Sequence, residues 1–548
     1  MRIHTLFTAV VLLFMVTACY EDKGNYDYKE MNDIEITVEM PDENTSFALG
    51  DLVVCTPQLV FAVGKENTNL GYEWSFAGKV ISHTRNLEWV ADTIASNKML
   101  QLAVLDQNTG VTYFGDTDIS ITSRYATDGW VVLSEKNGNS SLSFIRHRSG
   151  LSAPTEVAKD VYQMINGRPM GTGPVSVYPH WTTRWGGEEN VSWVWVAQKG
   201  GESALEVSGS SYQQQTTLAP IFLKQTYPEG FVPAAVMDLQ ILSLAIGEDG
   251  TIYTRVKDSN LLFNTGRFID RPLTSDDKGE LKVDGSMIAY GRFDCQGGLL
   301  CYDKNSGQYL HISDYVHWDG KPRAGKALPL KVDEGDYKEG DARLNDMNGY
   351  KVHYVGVAYN EDHLYSPMPY MAVIENRTTG KFYLQKFSVD NYDGSMKALP
   401  AKFESQEEMK NLESVIDDSS KNCFTLSRYQ NDAPYMFISK DNMLYLYFID
   451  NKTLYPCARF ESVITSMDMN IYSSRVLTVG LENGDVIMLK GIRSADGEPN
   501  LARYVINERN IVQVTDAENE FVLFHEKDFG RVVQIFYKWQ EKWNENFY

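Results

Sequence analysis

Val476-Leu-Thr-Val479, Glu482-Asn-Gly484 and Val486-Ile-Met-Leu489 follow one another as apolar run, polar turn and apolar run. An Asn-Gly pair tolerates the positive φ that a tight hairpin turn demands, and both flanking runs have strand length. The same grammar recurs along the chain. Trp130-Val-Val-Leu133 turns at Glu135-Lys-Asn-Gly138 into Leu142-Ser-Phe144-Ile, and Val191-Ser-Trp-Val-Trp195 turns at Gly200-Gly201 into Ala204-Leu-Glu-Val207. Ile241 to Ile246 turns at Glu248-Asp-Gly250 into Thr251-Ile-Tyr253, and Leu299-Leu-Cys-Tyr302 turns at Asp303-Lys-Asn-Ser-Gly307 into Tyr309-Leu-His-Ile312. Met371-Ala-Val-Ile374 leads through Asn376-Arg-Thr-Thr-Gly380 to Phe382-Tyr-Leu384, and Tyr435-Met-Phe-Ile438 through Lys440-Asp-Asn442 to Leu444-Tyr-Leu-Tyr447. Last comes Phe521-Val-Leu-Phe524, with Lys527-Asp-Phe-Gly530 and Val532-Val-Gln-Ile535.

These eight hairpins, with turn centres roughly 40 to 75 residues apart, have the period of propeller blades, each reading as the inner hairpin of one blade. Val463-Ile-Thr-Ser-Met-Asp468 and Ile511-Val-Gln-Val-Thr515 offer further strands between them. Residues 125–548 therefore read as a β-propeller of seven or eight blades, with two stacked β-sandwiches as the competing architecture. Helix is sparse. Ser405 to Ile416, with Ser405 as N-cap and Glu408 three residues on, is one expected helix, and the tail after Trp539 is another.

Upstream, from Asp33 to Arg124, the apolar period is two. Ile34, Ile36 and Val38 alternate with polar residues, and Tyr72, Trp74 and Phe76 alternate before an Ala77-Gly78 turn. Pro57 interrupts Leu52 to Val63, where an edge or bend is expected. Six or seven short strands around a central Trp fit an immunoglobulin-like sandwich. The whole chain is thus expected to be all-β, a sandwich followed by a propeller.

Before the sandwich, Arg2 and the apolar run Leu6 to Val16 have the size of a signal-peptide core, too short to span a bilayer. Small residues at Thr17 and Ala18 open the bond before Cys19, and Val16-Thr17-Ala18-Cys19 resembles a bacterial lipoprotein box. Residues 1–18 are then a leader, Cys19 carries the lipid, and residues 19–32 form a polar tether. With 51 basic and 73 acidic side chains the net charge is −22, which repels phosphate backbones and anionic headgroups. Nucleic acid is a poor partner for such a surface, and membrane contact is expected through the lipid anchor alone. The five other cysteines, Cys55, Cys295, Cys301, Cys423 and Cys457, do not form a disulfide framework. Cys295 and Cys301 are spaced to pair across a hairpin, but buried free thiols are the expectation.

Signatures of catalysis are missing from the chain: there is no Gly-x-Ser-x-Gly elbow, no phosphate-binding Gly-Lys-Ser/Thr loop and no histidine pair at metal spacing. His525-Glu526 lacks the second histidine of a zinc protease. Asp333-Glu-Gly-Asp336-Tyr-Lys-Glu339-Gly-Asp341, continuing to Asn345-Asp346, is rich in oxygen ligands for Ca2+, but its spacing is not that of an EF-hand. A solvated acidic loop is expected there, and no cofactor. Tyr178-Pro-His180-Trp181-Thr-Thr-Arg184-Trp185 concentrates aromatics in what reads as a loop, and His317-Trp318 offers a second. Exposed rings of this kind grip peptides or stack on sugars, and the competing reading is that they fill gaps between blades.

The Tyr72-Glu-Trp74-Ser-Phe76 strand resembles the signature of PKD domains, although Ala77-Gly78-Lys79 stands where Gly-Asp-Gly usually follows. Together with Cys19-Tyr-Glu-Asp-Lys-Gly-Asn-Tyr-Asp27 it resembles the PKD-like family lipoproteins of Bacteroidetes. That resemblance implies an outer-membrane lipoprotein facing the cell exterior, beside SusC/SusD-type importers. It further implies a non-catalytic binding or scaffold role in the uptake of an oligomeric peptide or glycan. A surface glycosidase, lyase or peptidase with its site on the propeller face is the alternative, and a purely structural spacer is a third reading.

Overall fold

The computed structural model describes residues 31–41, 45–146, 156–181, 192–239, 241–257, 266–275, 279–290, 297–314, 324–358, 367–390, 397–417, 421–427, 435–469, 476–491, 500–515 and 519–538. Two compact units divide at Ser123 and Arg124. The lipoprotein box with Cys19, and the tail after Trp539, lie outside the described residues.

The first unit is a β-sandwich. Its larger sheet has five strands in the order Ser46–Ala48, Val111–Thr122, Ala95–Asp106, Leu70–Phe76 and Lys79–Ser82. Facing it are the pairs Ile34–Thr37 with Gln58–Phe61 and Leu52–Cys55 with Leu87–Val90. The chain breaks between Cys55 and Gln58, where Pro57 has no N–H for a ladder. Trp74 is fully buried, and its indole N–H bridges the carbonyls of Thr84 (3.0 Å) and Arg85 (3.2 Å). Around it pack Phe76, Leu100, Leu102, Val104 and Ile121. Ala77 (φ 48°) and Gly78 (φ 81°) make a two-residue turn whose twist suits the hairpin.

The second unit is a propeller with seven blades among the described residues. Blade 2 shows the plan: Gly171–Trp181, Ser192–Gly201, Ala204–Ser208 and Gln214–Thr217 run as an antiparallel meander. Blade 3 begins with Pro233–Asp238, blade 4 with Val283–Tyr290, blade 5 with Tyr350–Val357, blade 6 with Phe424–Leu426 and blade 7 with Ile464–Met469. These first strands lie against one another from blade 2 to blade 3 and from blade 4 through blade 7, so they are the inner strands. The hairpins read from sequence are accordingly the second and third strands of each blade, not the innermost pair.

The eighth hairpin is not a blade. Val522–Glu526 closes the outer side of blade 7, whereas Arg531–Lys538 pairs with Gly129–Lys136 and becomes the inner strand of blade 1. The two ends of the second unit thus share one sheet, ordered Glu156–Ala158, Asn139–Arg146, Gly129–Lys136 and Arg531–Lys538. Trp130 and Tyr537 meet edge to face across that seam, 5.0 Å between ring centres.

The helix expected over Ser405 to Ile416 does not form. Leu399–Glu408 is the outer strand of blade 5, with Tyr383 paired to Glu408 and Gln385 to Gln406. Ladder pairing overrides the local capping pattern. The apolar spacing that suggested helix continues as Met409, Leu412, Val415 and Ile416, all buried around a single turn at Leu412–Ser414. Among the described residues the α-helices are Val161–Asn166 and Leu501–Glu508, the second capped by the Asn500 side chain accepting from Arg503 N. Cys301 is a buried free thiol, and Cys295 lies outside the described residues.

Candidate functional site

Tyr178, His180 and Trp181 are not in a loop. They end the inner strand of blade 2, where Tyr178 pairs with Trp195, His180 with Trp193 and Trp181 with Ser192. The loop reading failed because Pro179 and the polar residues beyond it mimic a strand terminus, while this strand has a ladder partner on one side only. Tyr178 is half-buried against the Phe536 ring of blade 1, 5.7 Å between centres. His180 is 4% exposed and points inward. The Trp181 side chain, Arg184, Trp185, His317 and Trp318 lie outside what the structure describes. In the acidic loop, Asp333 accepts from Gly335 N (2.9 Å), Asp341 from Lys338 N (2.8 Å), and Glu334 pairs with Arg343 (2.7 Å). Those carboxylates stabilise the loop's own turns.

His180 instead leads to a buried polar cluster between blades 2 and 3. Its Nε2 shares a hydrogen bond with Glu206 Oε1 (2.8 Å) and stands 3.5 Å from Asp238 Oδ2. Strand register places the partners. Trp195 and Glu206 are directly opposite in blade 2, while Asp238, Ser243 and Arg255 form one row across the three strands of blade 3. Asp238 accepts from Trp195 Nε1 (2.7 Å) on one oxygen. The other oxygen accepts from the Ser243 hydroxyl and from Arg255 Nη2 (3.2 Å). Arg255 also donates to Ser243 Oγ, and its guanidinium lies over the Phe268 ring at 5.2 Å. Lys257 donates to the Leu239 carbonyl (2.9 Å) and sits 3.6 Å from Asp238.

Burial pushes the Asp238 carboxyl upward, but His180, Lys257, Arg255 and the Ser243 hydroxyl outweigh it and hold the group well below the usual carboxylate range. Glu206 goes the other way: burial raises it, and the hydrogen bond and charge of His180 only partly offset that. Two neighbouring carboxyls are thereby pushed apart in acidity.

His180, Glu206 and Asp238 bring ligand atoms within 4.8 Å of one another, close enough to suggest a metal. The charge count argues against it. Arg255 and Lys257 already balance both carboxylates, so a divalent ion, which needs a neutral imidazole as ligand, would add two uncompensated positive charges inside a buried cluster. We expect excess zinc and excess EDTA to leave the thermal midpoint unchanged. Stoichiometric metal in the purified protein, measured by plasma emission, would overturn that argument. What the cluster can do is hold a proton between His180 and Glu206 and tie two blades together. With side chains 4% and 0% exposed, those two groups do not meet a substrate.

Sequence reading found His180 and missed its partners. Glu206 carried the one available signal, a charge inside the buried strand Ala204–Ser208. Asp238 and Arg255 look like ordinary solvated strand ends until the register aligns them.

Residues 19–174 match the PKD-like family, so the sandwich is PKD-like and the match continues into blade 1 and the start of blade 2. A quinoprotein alcohol dehydrogenase-like protein from Bacteroides thetaiotaomicron is similar in structure at 13% identity, covering 92% of this chain and 99% of that one, with a TM-score of 0.36. Dihydro-heme d1 dehydrogenase NirN, in complex with DHE, is similar at 11% identity over 72% of this chain and 70% of that one, with a TM-score of 0.31. Likenesses this weak carry no argument. No curated protein matches the chain.

Proposed function

We propose that this protein is a lipid-anchored outer-membrane protein facing the cell exterior, acting as a non-catalytic binding or scaffold component beside a SusC/SusD-type importer of peptide or glycan. The observation that carries the reading is the start of the PKD-like match on Cys19, directly behind the apolar run Leu6 to Val16 and the small residues Thr17 and Ala18. A cysteine that opens the mature chain is an acylation site, and the domain order then follows as anchor, tether, sandwich and propeller. The tether over residues 19–32 reaches at most about 50 Å when extended, so the sandwich is held near the membrane. On the propeller, the buried His180 cluster supports a rigid platform, since its acid–base groups face other protein and not solvent. A rigid platform on a membrane-anchored chain suits capture and presentation.

Cys19→Ala is expected to abolish palmitate labelling and move the protein from the outer-membrane to the soluble fraction. Retention of label in that variant would remove the basis of the proposal. The importer role is tested separately, by affinity purification of the lipidated protein from outer membranes. Recovery without any SusC/SusD-like partner would sink that part, and consumption of a peptide or glycan during incubation would sink the non-catalytic part.

A further inference from the structure

Lys538 is the last described residue of the strand that closes the ring, and it is wholly buried. Its Nζ donates to two backbone carbonyls at 2.8 Å each, that of Tyr125 where the chain enters the propeller and that of Gly209 in blade 2. Nζ also lies 4.7 Å from the centre of the Phe144 ring. Tyr125, Phe144 and Tyr212 pack mutually around this point, at 6.2, 5.3 and 5.8 Å between centres. One side chain thus ties the C-terminal strand, the N-terminal edge of the unit and the neighbouring blade inside an aromatic box.

We propose that Lys538 is a proton-sensitive clasp on the propeller ring, fastening the closing strand to the Tyr125 and Gly209 segments at once and loosening them together in acid. A neutral amine satisfies both carbonyls at little cost. A full charge in the same place is removed from water, and the carbonyls and ring face replace its hydration only in part. Burial lowers the lysine to about 7, opposed by the Asp128 carboxylate. The other ionisable groups facing it do not replace that balance. Tyr212 and Tyr125 have phenols raised by burial, so they stay neutral, and Arg124 is paired with Glu156 across 3.2 Å. An unfolded lysine takes its proton near pH 10.4, about three units higher. The unfolded chain therefore binds the proton first as pH falls, and stability declines from about pH 10 to about 7 and levels off below.

The test compares wild type with Lys538→Met in urea unfolding of the propeller from pH 6 to 9.5. Hydrogen exchange over residues 124–129 and 209–213 is followed at each pH, corrected for intrinsic rates. The wild-type midpoint should climb above pH 7 and that of the variant should not, so that wild type gains steadily on the variant up to pH 9.5. At pH 9 both segments of the variant should exchange about tenfold faster, the effect of one net hydrogen bond each. A gap of constant size across the range would overturn the proton sensitivity, and unchanged exchange in either segment would overturn the clasp. Should Lys538→Met not fold, Lys538→Gln keeps a donor that does not titrate. A midpoint for that variant rising with pH as in wild type would likewise overturn the proposal.

Discussion

Asp238→Asn is expected to destabilise the propeller by about 3–5 kcal/mol, the cost of leaving buried cations without their counter-charge. The substitution preserves shape and retains an oxygen for Trp195, whose N–H now donates to Asp238 Oδ2 at 2.7 Å. It removes the charge that faces Arg255 and Lys257, both essentially unexposed. Urea unfolding would read the loss as a lower midpoint with an unchanged slope, because the folded surface stays the same. Adding Lys257→Met should recover part of the loss, since one uncompensated charge then disappears, and this non-additivity is the signature of a coupled pair. A cost below about 1 kcal/mol for Asp238→Asn would mean that water reaches the cluster and that the blades are not locked through it. The pH dependence has two opposing parts. Asp238 is held low, so its contribution is present through the neutral range and is lost only as acid reaches its depressed range. Glu206 is held high, so the stability it adds in acid is lost as pH rises through its raised range.

Much of the architecture was legible from short-range chemistry. Asn483-Gly484, Asn137-Gly138 and Thr379-Gly380 mark hairpin turns because their φ values demand it, and Gly138, Gly380 and Gly484 do adopt positive φ. Trp74 announces a sandwich core by alternation alone. What remained hidden depends on pairing between distant residues. Nothing near Val532 says that its strand belongs with Trp130 and not with Phe524, because strand partners four hundred residues apart leave no local trace. Ser405 and Glu408 form a good helix start in isolation, and only the ladder with Tyr383 makes them strand. The cluster followed the same pattern. His180 stood out among aromatics, while Asp238 and Arg255 acquire meaning only when three strands of blade 3 come into register.

The seam that sequence could not show carries the second large expectation: removal of residues 531–548 should abolish cooperative folding of the propeller and spare the sandwich. Val532, Ile535 and Tyr537 are each less than 5% exposed, packed with Trp130, Val132, Val476 and Met488 from both sides of the seam. Burying side chains of this size contributes about 1.5–3 kcal/mol each, so three of them approach the whole stability of a typical domain. The truncation also strips one face of the Gly129–Lys136 ladder, exposing unpaired backbone beside a now uncovered Trp130. Calorimetry of the truncated chain should show one small transition, that of the sandwich, whose core among the described residues draws on none beyond Ile121. A synthetic peptide spanning Lys527 to Lys538 supplies the missing strand, and added in excess it should restore the propeller transition in proportion to its occupancy. A propeller that melts normally without residues 531–548 would show that the ring holds without its shared sheet. Failure of the peptide to rescue would show that closure needs the covalent link from Val522–Glu526, not merely the strand.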